Sequence, residues 1–282
     1  MSPILVSILM PSFNQRCFIE MSIKSILEQS YSKIEIIVAD GGSTDGTVEF
    51  LTELSQQDTR LRWFSETDSG PAQALNRALK RARGTVIGWL NSDDLYTGGA
   101  IERAVDFFNR HANYLMVYGH GEHIDIDGDF IDKYPTLLPE VSYSQFSEGC
   151  FICQPTVFFR RSMPLLVGNF DESFKTAFDF DYWMRVFHLF PGRIGFIDMV
   201  QAQSRLHDGC ITLKMRQTVT TEGMYILYKY LGYAPKEWFL TYVNELLEQS
   251  KAVDDRDIVK TKVYDVFENI NRYVLEDDLK KL

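Results

Sequence analysis

At 282 residues and 45% hydrophobic content, the chain can bury one large α/β domain plus an appendage, and disorder is not expected to dominate. A formal charge of -10 argues against a nucleic-acid surface, which needs a basic stripe, and disfavours electrostatic attachment to an anionic membrane unless a local basic patch supplies it. No apolar run approaches the ~18–20 residues that span a bilayer, and Met1-Ser2-Pro3 leads into the first strand with no basic n-region. The expectation is a soluble protein, cytoplasmic or at the inner face of the membrane.

The alternation of apolar periods predicts strands at 4–10, 34–39, 60–65, 85–90 and 114–119, with helices at 17–30, 44–57, 71–83 and 98–111. Such alternation means right-handed βαβ units and a largely parallel sheet. The first strand closes in Pro11-Ser12-Phe13-Asn14. The second runs into Asp40-Gly-Gly-Ser-Thr-Asp45-Gly-Thr47, where a Gly pair permits a tight turn and Ser43 or Thr44 can N-cap the next helix. That run lacks the G-x-G-x-x-G spacing of a dinucleotide loop and follows the second strand rather than the first.

The strand Val86 to Leu90 ends in Asn91-Ser92-Asp93-Asp94, with no basic residue nearby in sequence to neutralise the two carboxylates. Taken alone, such a pair is an ordinary turn. Three polar clusters at one expected sheet edge instead suggest a site, because open α/β sheets bind ligands beyond the carboxyl ends of their strands. Adjacent carboxylates suit a hard divalent ion shared with substrate phosphates.

Beyond residue 120 the pattern changes. Ile124 to Ile131 predicts a hairpin around Asp127-Gly128, Pro155 to Arg160 and Ile194 to Val200 predict strands, and a helix is expected to start around Phe180 with Trp183, Phe187 and Leu189 on its buried face. From about residue 212, apolar faces (Met224, Ile226, Leu227, Tyr230; Trp238, Tyr242, Leu246, Leu247; Val263 to Leu275) predict a helical extension, a brace on the core or a homodimer contact. Cys150-Phe-Ile-Cys153 has C-x-x-C spacing, but a closed zinc site needs two more ligands and no second Cys/His pair is present, so these cysteines are expected to pack as small apolar residues.

The ordered motifs together resemble the family 2 glycosyltransferases, which have the GT-A fold and use nucleotide-activated sugars. The resemblance covers residues 4–210. Pro11-Ser-Phe-Asn14 is similar to the family's first-strand loop. Residues 40–47 match its Asp-Asp-Gly-Ser-Thr-Asp-Gly-Thr run, with Gly41 in place of the second Asp. Glu66-Thr-Asp68-Ser-Gly70 and Ala74-Leu-Asn76-Arg-Ala resemble the segment before the metal motif. Asn91-Ser-Asp-Asp94 stands where the family has Asp-x-Asp, with Asn91 in place of the first Asp. Asp179-Phe-Asp181 resembles the segment that supplies the catalytic base, with Phe178 where relatives often carry Glu, and Arg205-Leu-His207 resembles the late Arg-x-His.

The resemblance implies an α/β, GT-A-type, largely parallel sheet flanked by helices: a transferase domain over 1–211 (nucleotide half 1–119, acceptor half 120–211) and a helical extension over 212–282. It implies an inverting, metal-dependent transfer from a nucleotide-sugar donor, expected to be a UDP-sugar, to a hydroxyl of a glycan or glycolipid. Asp40 would contact base or ribose, and Pro11, Ser12, Asn14, Asp68, Asn76, Asn91 and Asp93 would line the donor site. Asp93 and Asp94 would hold Mn²⁺ or Mg²⁺, either one as primary ligand, with His207 as a third metal or diphosphate ligand. Asp179 would be the base, leaving Asp181 to hold the helix or pair with a neighbouring Arg. Two alternatives stand beside this: a non-catalytic sugar-nucleotide-binding protein, and a sugar-nucleotide-forming nucleotidyltransferase, which would want a Gly-rich first loop that Pro11 to Arg16 does not provide.

Overall fold

The computed structural model describes residues 3–250 and 256–280; most of the break between helices at residues 252–256, the first two residues and the last two lie outside them. In chain order the elements are β1 (Val6–Ser12), α1 (Arg16–Leu27), β2 (Ile34–Asp40), α2 (Thr47–Gln57), β3 (Leu61–Ser65), α3 (Pro71–Arg81), β4 (Val86–Trp89), β5 (Leu95–Tyr96), α4 (Ala100–Arg110), β6 (Met116–Ile124), β7 (Phe130–Lys133), β8 (Phe158–Arg160), α5 (Met163–Val167), α6 (Phe178–Leu189) and β9 (Ile194–Arg205). There follow α7 (Ile211–Lys214), α8 (Arg216–Leu231), α9 (Lys236–Ser250), α10 (Arg256–Ile270) and α11 (Glu276–Leu279).

The sheet runs β3-β2-β1-β4-β8-β6-β9-β5, with β7 paired to β6. Its first four strands are parallel, in register from Val6↔Ile34 to Ser12↔Asp40 and from Val6↔Val86 to Leu9↔Trp89. β1 and β2 are buried along their whole length, which is why they read as unbroken apolar runs rather than alternating ones. Side chains on β1 point alternately to two cores: Val6, Ile8 and Met10 join α1 and α4 on one face, and Leu9 joins α3, α6 and the C-terminal helices on the other.

The second half is less regular than the sequence suggests. β8 is only three residues long and runs antiparallel to both β4 and β6, because Gln154–Thr156 forms a 3-10 turn around Pro155 in place of the expected first half of that strand. β6 continues to Ile124 and pairs in parallel with β9, so the first arm of the expected hairpin is the end of a nine-residue strand. Its turn is built by the Asp125 carboxylate, which accepts the N–H groups of Asp127, Gly128 and Asp129. α2 starts at Thr47, later than Ser43 or Thr44 would set it. The Asp45 carboxylate accepts the N–H groups of both Thr47 and Arg16 and so fixes the starts of two helices at once. Leu189, expected on the buried face of α6, is half exposed at the helix end, whereas Trp183 and Phe187 are buried.

The C-terminal helices share the core of the sheet rather than forming a separate one: Met224, Leu227, Phe239, Tyr242, Val266 and Ile270 belong to the same buried cluster as Trp89 and Trp183. Among the described residues, no helix is long and apolar enough to cross a membrane.

Candidate active site

β2 lies on one side of β1 and β4 on the other, so the chain reverses its direction of travel across the sheet between β1 and β4. Crevices beyond the strand ends at such switch points are where open α/β sheets take ligands. Three loops meet there. Asn14 adopts φ 53°, a left-handed conformation that Asn tolerates better than most residues. This lets its N–H donate to Ser43 Oγ at 2.7 Å while its Oδ1 accepts the Thr44 N–H at 2.9 Å. The Pro11 carbonyl accepts from Ser92 Oγ, and the Ser12 carbonyl accepts the Gly41 N–H. The three motifs are thus cross-linked through the backbone.

Asp40 organises this junction. It is 1% exposed; its Oδ2 accepts from the Gly42 and Ser43 N–H groups and from Ser65 Oγ, and its Oδ1 accepts from Ser43 Oγ. Oδ2 carries three of these bonds, and Oδ1 is engaged by Ser43 Oγ alone. In the ligand-free chain its bonds are those that build the loop. Asp68 sits next to it, partly exposed, one oxygen accepting from Gly70 N and the other close against Gly41, where a Cβ would meet Oδ2 at 3.0 Å. Burial and the nearby Asp40 charge push the Asp68 carboxyl up. Phe13, which sequence reasoning passed over, projects beside Gly41 with 61% of its surface exposed. Its signal was an aromatic side chain in a loop with no apolar period to bury it.

The Asp93 and Asp94 side chains diverge. Asp94 is buried, its Oδ1 accepting the Arg205 N–H at 2.9 Å and its Oδ2 the Asn91 amide at 3.2 Å. Burial, then the Asp93 charge, push its carboxyl well above the usual range. Asn91 also donates to Gln154 Oε1 and accepts from Trp89 Nε1, so in the ligand-free chain both it and Asp94 are bonded inward. Asp93 points the other way, its Oδ2 lying 3.1 Å from His207 Nε2. The Gly209 N–H donates to His207 Nδ1, which assigns the proton to Nε2 and makes it the donor to Asp93. Two neighbouring ligands of an octahedral cation stand about 3 Å apart, so this pair has the spacing for one edge of a Mg²⁺ or Mn²⁺ site, provided His207 gives up the Nε2 proton and turns that lone pair to the ion. No cluster of three His, Cys, Asp or Glu side chains suited to a metal occurs among the described residues. A cation here would therefore take its other oxygens from water and substrate phosphate, the usual habit of Mg²⁺. Ser12 Oγ, at the same strand edge, is buried with no hydrogen-bond partner among the described residues.

Asn76, also expected at the donor, is buried instead: its amide donates to the Phe170 carbonyl and Glu172, and its Oδ1 accepts the Phe170 N–H. It clamps α3 to the loop before α6. Tyr96 is likewise buried in the core.

Asp179 and Asp181 separate as their two-residue spacing implies. Asp181 is 1% exposed and bonds Arg185, Lys229 and Tyr230. Asp179 instead lines a cavity of about 800 Å³ between the 147–150 segment, the start of α6 and helices α8 and α9. Burial raises its carboxyl to about 6, the Glu222 charge adding to the rise against two backbone N–H bonds that lower it. Its neighbour Phe178 stacks on Trp89 at 5.4 Å, and the Trp89 indole N–H donates to Asn91. The start of α6 is thereby packed against the strand end that carries Asp93. Cys150 and Cys153 are free thiols that pack beside it, and burial pushes the Cys150 thiol up to about 12.

Comparison with known proteins identifies the family. Residues 7–163 match the family model described as Glycosyl transferase family 2. An uncharacterized glycosyltransferase of Rickettsia conorii is 33% identical over 72% of this chain, and chondroitin synthase of Escherichia coli is 30% identical over 66% of it. The chain spans 34% and 27% of the length of those two relatives. The crystal structure of S. aureus TarS residues 1–349 superposes with a TM-score of 0.63 at 18% identity, covering 96% of this chain and 81% of that one. The same TarS fragment has been solved in complex with UDP and with UDP-GlcNAc.

Proposed function

From the premise that this chain belongs to glycosyl transferase family 2 and has a GT-A-type α/β fold, we propose that it moves a sugar from a UDP-sugar to a hydroxyl of a glycan or glycolipid acceptor, in one inverting displacement. The observation that carries this reading is Asp179. It is a carboxylate with a raised proton affinity on the wall of a cavity large enough for a saccharide, on a helix packed against the Asp93 strand end. A general base works best with a pKa near the operating pH. A carboxyl at about 6 is ionised at neutral pH yet basic enough to take a hydroxyl proton as the acceptor oxygen attacks the anomeric carbon.

In this reading Phe13 offers a face to the nucleotide base, and Asp68 and the loop of Pro11, Ser12 and Asn14 position the base and ribose. Asp93 and His207 would hold a divalent cation, which supplies Lewis-acid stabilisation of the departing diphosphate. Asp94, Asn91 and Asp40 keep these groups in place from below. The UDP and UDP-GlcNAc complexes of the structurally similar TarS support the choice of donor, and chondroitin synthase supports a glycan acceptor.

A thermal-shift screen of the full chain against UDP-, GDP- and dTDP-sugars, with and without Mn²⁺, tests the donor assignment. A ligand at a hundred times its Kd stabilises by about 2.7 kcal/mol, enough to move the melting temperature by several degrees. UDP-sugars should give the largest shift, enlarged by Mn²⁺. No shift with any nucleotide would remove the proposal.

A further inference from the structure

Helix α6 carries Asp179 but has no side-chain cap of its own; Ala177 stands at its N-cap. The segment that leads into it is held from α8 instead. Glu222 Oε1 accepts the Lys175 N–H at 2.7 Å, and Oε2 accepts the N–H groups of Thr176 and Ala177 at 2.9 Å each and the Thr176 hydroxyl at 2.7 Å. Three consecutive amides around one carboxylate make a backbone nest, an arrangement that binds negative charge strongly. These amides belong to the segment that leads into α6, so the bonds from Glu222 tie the entrance of the helix to α8 and fix where α6 begins and hence where Asp179 sits.

The groups facing Asp179 single out the same residue. Tyr134 and Cys150 approach from the segment before α6, both held in their protonated forms by burial and by the Asp179 charge. Glu148, Glu237 and Asp278 stand farther round the cavity, and Arg216, its cation, is paired bidentately with Glu245. Asp181 is turned away onto Arg185 and Lys229. The charge that bears on Asp179 from another element is that of Glu222.

We propose that Glu222 is a positioning residue for Asp179, so that the C-terminal helices set both the place of the base and the charge it faces. The inference rests on the reading of Asp179 as that base.

The test is a ¹³C carboxyl titration of the full chain, read with amide exchange at residues 175–177. Asp179 should titrate near about 6 in the wild type. Glu222→Gln keeps the shape and one acceptor oxygen but removes the charge; it should lower the Asp179 midpoint by about half to one unit and speed exchange of the three amides. Glu222→Asp withdraws the charge by one methylene and should shift the midpoint partway, which keeps the test alive if Glu222→Gln folds poorly. An unchanged Asp179 midpoint in the folded variants overturns the proposal. Failure of the underlying reading looks different: the midpoint moves, but Asp179→Asn retains transfer activity.

Discussion

Asp179 and Asp181 lie two residues apart on one helix in opposite surroundings, the first on a cavity wall and the second among Arg185, Lys229 and Tyr230. Asp179→Asn keeps the shape but cannot accept a proton, so transfer should fall about 10²–10⁴-fold while nucleotide binding persists. The wild-type rate should be flat above neutrality and fall as pH drops through about 6, because the carboxyl then holds its proton and cannot take another. Asp181→Ala should act on stability instead. It leaves Arg185 and Lys229 without their shared partner, at a cost of about 2–3 kcal/mol, below the ~3–5 of a fully buried pair because Lys229 reaches solvent. Urea melts measure it directly. The adjacent pair behaves likewise: Asp94→Ala strips the acceptor from the buried Arg205 N–H and should cost about 1–3 kcal/mol, whereas Asp93→Ala should melt close to wild type but lose the Mn²⁺-dependent part of nucleotide binding.

The elements that sequence periodicity reached are those whose burial is uniform. β1, β2 and β4 are covered on both faces and therefore appear as unbroken apolar runs. β5 has two residues and was not read from the sequence; it exists through pairing with β9, whereas β7, exposed throughout, was reached only through the Asp127-Gly128 turn that pairs it with β6. The same limit explains the site. A strand-end position placed Asp40 near it and the family resemblance placed Asn76 there, but neither announces the bonds these side chains make to Ser65, Phe170 and Glu172, which cross 25 to 96 residues of chain. Gly121 makes another such junction. A Cβ there would fall 2.4 Å from Cys153 Sγ, on the segment that links the cavity to Asn91 through Gln154. Gly121→Ala should therefore destabilise by about 1–3 kcal/mol and slow transfer without touching a reacting group, which paired melting and rate measurements would reveal.

At the scale of the whole molecule, alternating strands and helices made the α/β architecture legible, while the helical extension showed only an apolar face and no motif. Its part in the site rests on single side chains, Glu222 on the entrance of α6 and Lys229 on Asp181, which no local pattern announces. Because Met224, Leu227 and Tyr242 complete the core that holds Trp183, a chain ending at residue 211 should aggregate rather than retain a folded transferase domain, as solubility and circular dichroism would show. The central claim is that Asp179 takes the acceptor proton in transfer from a UDP-sugar. Single-turnover release of UDP from UDP-GlcNAc, with Mn²⁺ and a panel of glycan acceptors, tests it when wild type and Asp179→Asn are compared at matched donor occupancy set by calorimetry. The wild type should release UDP with an acidic limb near about 6, and the variant should bind the donor equally but release UDP at least about a hundredfold more slowly. Equal rates in the two proteins, or donor binding by the wild type with no release under any acceptor, would contradict it.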